Sequence, residues 1–151
     1  MFNLFKKKKS PKEVAFNTAT GLYGIVSAAA NSIESNQPEK VELATNLYML
    51  GVLDCLSQRF NMTEEGFFDL LINFYEAIGL NGTYMEVLML FFTKMEKLPK
   101  ARECVVEGGK NCNEFLNGNT SIPVAAIWLI EGFVEDKDFP DSAGHVYVAI
   151  K

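Results

Sequence analysis

Residues 63–98 read TEEGFFDLLINFYEAIGLNGTYMEVLMLFFTKMEKL, the densest apolar stretch of the chain. Phe67, Phe68, Leu71, Phe74, Tyr75 and Ile78 recur at spacings of one, three and four, the helical period. Tyr84, Val87, Leu88, Phe91, Phe92 and Met95 repeat the pattern after the break at Gly79-Leu80-Asn81-Gly82. Thr63 supplies an N-cap, and Glu64 and Glu65 lie in the first turn, where the helix dipole favours acids. Gly79 fits the position just past a helix end, with Leu80 placed to touch Tyr75 as in a Schellman ending. Thr83-Tyr84-Met85-Glu86 has the form of a capping box and predicts the start of the next helix. The short connection predicts antiparallel neighbours, and their apolar volume makes this hairpin the expected centre of the core.

Working outward from the hairpin, the remaining segments also read as helix. Ser10-Pro11-Lys12-Glu13 combines an N-cap, a proline at the first helical position and a glutamate three residues on. Ala15, Ala19, Leu22, Val26, Ala29 and Ile33 then follow at spacings of 4, 3, 4, 3 and 4. Most of this heptad-like seam is small, which admits a close neighbour in a bundle or a second copy of the chain. Pro38 restarts helix, with one stripe at Val41, Ala44, Tyr48, Val52 and Cys55 and another at Leu43, Leu47, Leu50 and Leu53. So wide an apolar surface predicts burial on more than one side. Past Pro99, a fifth helix from about 100 to 116 carries Gly108-Gly109 in its middle, a cost of about 1 kcal/mol per glycine relative to alanine. Either that helix is weakened there or something packs closely against it. A sixth spans about 122–134, with Pro123 in its first turn.

The fold expected is therefore all-α: a single-domain bundle of about six helices over residues 10–151, preceded by a basic segment at 1–9. The last residues, His145-Val146-Tyr147-Val148-Ala149-Ile150, are β-like in composition. Three readings of them stand side by side: a strand pairing with another copy, an extended tail on the bundle, or a final helical turn. Val146, Tyr147, Val148 and Ile150 are accordingly candidate self-association residues.

A chain of 151 residues that is 48% apolar and 22% charged can bury a real core. Its net charge of −5 is unevenly placed. Residues 1–12 hold five lysines and no acid, which leaves nine basic against 19 acidic residues in the rest, a balance of −10. A body so acidic repels phosphates, so no nucleic acid partner is expected. Cys55, Cys104 and Cys112 form no disulfide or metal-knuckle pattern, and Cys104 and Cys112 on one helix lie too far apart to bridge. They are expected to be reduced, mostly buried thiols of a cytoplasmic protein. The start lacks the form of a signal peptide, and no apolar run approaches the ~20 residues of a spanning helix. Asn61, Asn81 and Asn119 each open an Asn-x-Ser/Thr triplet and read as turn and capping residues.

Catalytic chemistry finds no motif. The one histidine, His145, has no motif linking it to a cysteine, and the Glu-x-x-His pairs of di-iron bundles, HExxH, an EF-hand loop and a phosphate loop are all missing from the sequence. No cofactor is expected. Asp54 and Glu131 are set among apolar residues and are candidate buried carboxylates, each equally readable as the one polar stripe of its helix. Phe2, Leu4 and Phe5 followed by Lys6, Lys7, Lys8 and Lys9 form a candidate membrane-surface contact. Its rings would enter the interface and its lysines meet anionic lipid, at about 1 kcal/mol per lysine. Such contact would be weak, and the plainer reading of the same residues is a solvated tail. The expectation for function is a non-enzymatic, cytoplasmic interaction protein that binds a protein partner or itself. The alternative is a bundle that encloses an apolar small molecule or lipid among its Phe and Met residues, at a membrane surface or away from one.

Overall fold

The computed structural model describes residues 7–119 and 121–151; of Ile122 and Pro123 only the backbone is described. Seven α-helices run in order among them: α1 Pro11–Asn31, α2 Pro38–Arg59, α3 Glu64–Ala77, α4 Gly82–Phe92, α5 Pro99–Leu116, α6 Ile122–Glu135 and α7 Ala143–Ile150. A single 3-10 turn, Met95–Lys97, joins α4 to α5. No described residue is in a strand. The all-helical bundle read from the sequence is the fold, with one helix more than expected.

Local chemistry sets the boundaries. The Ser10 hydroxyl accepts from the Glu13 N–H at 3.2 Å and Thr63 from the Gly66 N–H at 3.1 Å. At the end of α3, Gly79 has φ +80°, its N–H donates to the Glu76 carbonyl, and the Leu80 N–H donates to the Tyr75 carbonyl at 2.9 Å. That is the expected Schellman ending. Asn61 (φ +49°) and Gly118 (φ +99°) close α2 and α5 in the same way. The start of α4 differs from expectation. Asn81, not Thr83, is its N-cap, accepting from the Tyr84 N–H at 2.8 Å. Asn outcompetes Thr as a cap, and the helix gains two residues at its front. Asn119 Oδ1 accepts from the Ser121 N–H and hydroxyl. All three Asn-x-Ser/Thr asparagines are thus turn or capping residues.

The centre of the molecule is α2 rather than the α3–α4 hairpin. Fourteen of its 22 residues are buried, and α1, α3, α5 and α6 all pack on it. Its most intimate neighbour is α5. The two run parallel: Cys104 Sγ donates to the Ala44 carbonyl at 3.3 Å, and further along both helices Asn111 Nδ2 donates to the Tyr48 hydroxyl at 3.1 Å. Between these points the backbones touch. A Cβ on Gly51 would lie 1.8 Å from the Val105 carbonyl oxygen, and one on Gly108 would lie 2.0 Å from that of Tyr48. The Gly108-Gly109 pair therefore leaves α5 unbroken and marks a close approach. Burial pushes the Tyr48 hydroxyl up to about 12, against the opposing pull of the Asn111 amide.

The hairpin helices meet through side chains. Phe67 at the start of α3 stacks obliquely on Phe92 at the end of α4, centroids 5.0 Å apart, as antiparallel neighbours require. On the far side of α3, Phe74 is fully buried between Tyr23 and Tyr75, edge-to-face with both. The Tyr75 hydroxyl donates to the Asn46 carbonyl at 3.0 Å, tying α3 to α2.

The C-terminal residues are a helix that packs on α4, the last of the three readings. The Ser142 hydroxyl caps it by accepting from the His145 N–H, and Lys94 Nζ donates to the Ile150 carbonyl at its other end. A lysine there favours the negative end of the helix dipole. Val146 and Ile150, four apart, are fully buried on the inward face. Tertiary contact overrides the β-like composition.

Candidate interaction face

Charge is distributed unevenly over this fold. No charged residue occurs between Val14 and Ile33, the bulk of α1, or between Phe115 and Ile130, which includes most of α6. The two helices pack side by side. On α6 the helical period buries Ala126, Ile130, Phe133 and Val134 and turns Val124 and Trp128 outward. Trp128 is 72% exposed and Val124 49%. On α1 the exposed positions include Gly21, Gly24, Ile25 and Ala28. A tryptophan this exposed, with Val124 one turn before it and Glu131 one turn after, departs from ordinary surface chemistry. By composition α6 is apolar nearly all round, which does not distinguish its outer side from its inner one.

A second feature lies between α4 and α7. Tyr84, Val87, Leu90, Ala143 and Tyr147 line an open groove of about 610 Å³, with Asn81, Thr83, Glu86 and Gly144 at its margins. This is where the tail candidates divide. Val146 and Ile150 face inward, whereas Tyr147 and Val148 are exposed. Only the latter pair is free to meet a partner.

The remaining sequence candidates are dispersed. Lys7, Lys8 and Lys9 are exposed ahead of α1. Phe2, Leu4, Phe5 and Lys6 lie outside the described residues. Asp54 and Glu131 are each half-buried rather than enclosed. Asp54 Oδ2 accepts from Gln58 Nε2 at 2.9 Å beside a groove between α2 and α5. Glu131 borders a different, polar hollow with Glu34, Ser35 and Glu135. The structure does not bring these two carboxylates together. Among the described residues no helix is long and apolar enough to cross a membrane.

One buried charge went unread in the sequence. Lys40 is only 4% exposed, and its Nζ donates to the Asp136 carbonyl at 2.8 Å, with Asp141 Oδ1 at 3.8 Å. It pins the loop between α6 and α7 to the start of α2. A cation in the first turn of a helix opposes the dipole, and that misplacement was the available signal. The Asp138 backbone N–H, donating to Asp136, holds the Asp136 carboxyl below its ordinary value, and Lys100 at 3.3 Å adds to this. Lys40→Ala is expected to cost about 2 kcal/mol, the scale of a hydrogen bond from a charged donor, read as an earlier urea midpoint. Faster amide exchange across residues 136–141 should accompany it. The Asp136 contribution has the sign of a depressed acid. It is present above about pH 4 and lost as pH falls through the lowered folded pKa.

Compared with protein-family models, with curated proteins and with solved structures, the chain finds no match in any of the three.

Proposed function

We propose that the protein acts by protein–protein contact, that the outer face of α6 centred on Trp128 is the contact, and that its occupant is a second copy of the chain. The observation that carries this reading is the 72% exposure of Trp128. Large aromatic side chains anchor interfaces because each buries much apolar area at little conformational cost. The charge pattern favours self-recognition through this face. Two copies of a chain with net charge −5 repel in most orientations. They meet at lower cost along the uncharged stretches of α1 and α6, which on α6 end at Glu131.

Trp128 is the only tryptophan, so its fluorescence reports directly on the face. Light scattering across a concentration series should show dimer, and the emission maximum should move to shorter wavelength as dimer forms. Trp128→Glu should remain monomeric at every concentration while keeping the helical circular dichroism of the parent. A monomer with solvent-exposed emission throughout would sink the proposal. Truncation after Gly144 is a poor probe here, since it strips Val146 and Ile150 from the core. Tyr147→Glu with Val148→Glu tests the alternative α7 face without that damage.

The α4–α7 groove supports a second reading, the binding of an apolar small molecule. Tyr84, Val87, Leu90 and Tyr147 are the residues that would hold it. Native mass spectrometry of the purified protein should then show retained ligand, and Val87→Asp should release it. A clean apo mass after extraction under mild conditions, with no uptake of added fatty acid, counts against this reading.

A further inference from the structure

The register of the α2–α5 contact brings together two residues that sequence spacing kept apart. Ala44 meets Cys104, Tyr48 meets Gly108, and Gly51 meets Gly109. One turn further along both helices, on the two sides of the same contact, stand Cys55 and Cys112. Packed helices usually keep their axes about 8–10 Å apart, too far for most cysteine pairs facing across them. A disulfide needs Cα atoms about 5.5–6 Å apart. The glycine contact one turn earlier removes that obstacle, because the backbones already touch there.

The two thiols differ in access. Cys55 is half-buried and lines a groove of about 430 Å³ with Asp54, Gln58, Arg59, Met95 and Lys110, whereas Cys112 is fully buried behind it. Arg59 and Lys110 at the groove attract anionic reagents, with Asp54 opposing in part. Cys104, the third thiol, is sealed against the Ala44 carbonyl and has no such opening.

We propose that Cys55 and Cys112 form a thiol-exchange site whose substrate is a small anionic disulfide of the oxidised glutathione type. The Cys55 thiolate attacks one sulfur of the reagent, forming a protein–reagent mixed disulfide and expelling one reagent thiolate, which takes up the Cys55 proton. Cys112 then attacks the Cys55 sulfur, forming the Cys55–Cys112 bond and expelling the second thiolate, which takes up the Cys112 proton. Two protein thiols are oxidised and one reagent disulfide is reduced to two thiols. The bond links α2 to α5 at the end of their contact, and dithiothreitol reverses it.

The test is incubation of the full-length reduced protein with oxidised glutathione, followed by alkylation, intact mass and peptide mapping. The expected product is lighter by two hydrogens, carries one alkylatable thiol at Cys104, and yields a 55–112 crosslinked peptide. Its urea midpoint should lie above that of the reduced form. Cys104→Ser should behave as the parent. Cys112→Ala should stop at a stable glutathione adduct on Cys55, and the adduct mass itself reports a folded, reactive groove. A persistent Cys55 adduct in the parent, a crosslink through Cys104, or a Cys55–Cys55 bond between chains would each overturn the assignment.

Discussion

Replacing Gly51 or Gly108 by alanine is expected to destabilise the fold by about 3 kcal/mol or more, among the largest effects a single methyl group produces. The added Cβ would meet backbone, not a flexible side-chain tip: the Val105 carbonyl at 1.8 Å in one case and the Tyr48 carbonyl at 2.0 Å in the other. Relief requires moving a whole helix, and α2 cannot retreat because α1, α3 and α6 pack against it as well. The same substitution at Gly21 or Gly24 should have the opposite sign. Both are exposed in mid-helix with no atom within 4 Å of an added Cβ. Alanine there relieves the helical penalty of glycine, a gain of roughly 0.5–1 kcal/mol each. Urea unfolding of the four variants checks both signs at once. A Gly51→Ala midpoint equal to that of the parent would show that the two backbones do not touch.

Phe74→Ala should cost about 3–5 kcal/mol, the range for removing a fully buried ring and leaving a cavity. The side chain has no exposure, and its ring meets Tyr23 of α1 and Tyr75 of its own helix edge-to-face, at 5.8 and 5.2 Å. The loss therefore loosens the α1–α3 contact as well as α3 itself. Phe74→Leu should recover part of the stability, because it keeps volume while giving up the edge-to-face geometry. Thermal melts of the pair measure the division. Equal melting temperatures for the alanine variant and the parent would mean that the ring is not enclosed.

How far the chain could be read follows from the range of each interaction. Caps and breaks were legible because they are decided within four residues: Ser10, Thr63 and Gly79 fall where their chemistry puts them. The start of α4 was not legible, because two good caps, Asn81 and Thr83, compete two residues apart. The wide apolar surface of α2 announced burial on more than one side, but not that this helix rather than the hairpin is the centre. Apolar density singled out residues 63–98, yet density does not say what surrounds a helix. What makes α2 central is apolar surface on several sides combined with a glycine at the one place where a neighbour must come very near. The site candidates divide on the same principle. That Asp54 and Glu131 have apolar neighbours in sequence says little about enclosure, since a helix turns consecutive residues in different directions. Trp128, Lys40 and the Cys55–Cys112 pairing depend on which helix lies opposite, and no local pattern encodes that.

The parallel α2–α5 contact has a kinetic consequence. Its hydrogen bond between Cys104 and Ala44 joins residues 60 positions apart, and α3 and α4 lie wholly within the intervening loop. The chain must close that loop, with its entropic cost, before the tightest contact of the molecule can contribute anything. A bundle whose neighbours were all consecutive would form mostly local contacts and fold correspondingly fast. Here the hairpin of α3 and α4, held by its own caps, is the piece able to assemble early, and α2 waits for α5 to arrive. On a ribosome that wait lasts until α5 has left the exit tunnel, so the helix destined for the middle stands with one apolar side uncovered while α3 and α4 are made.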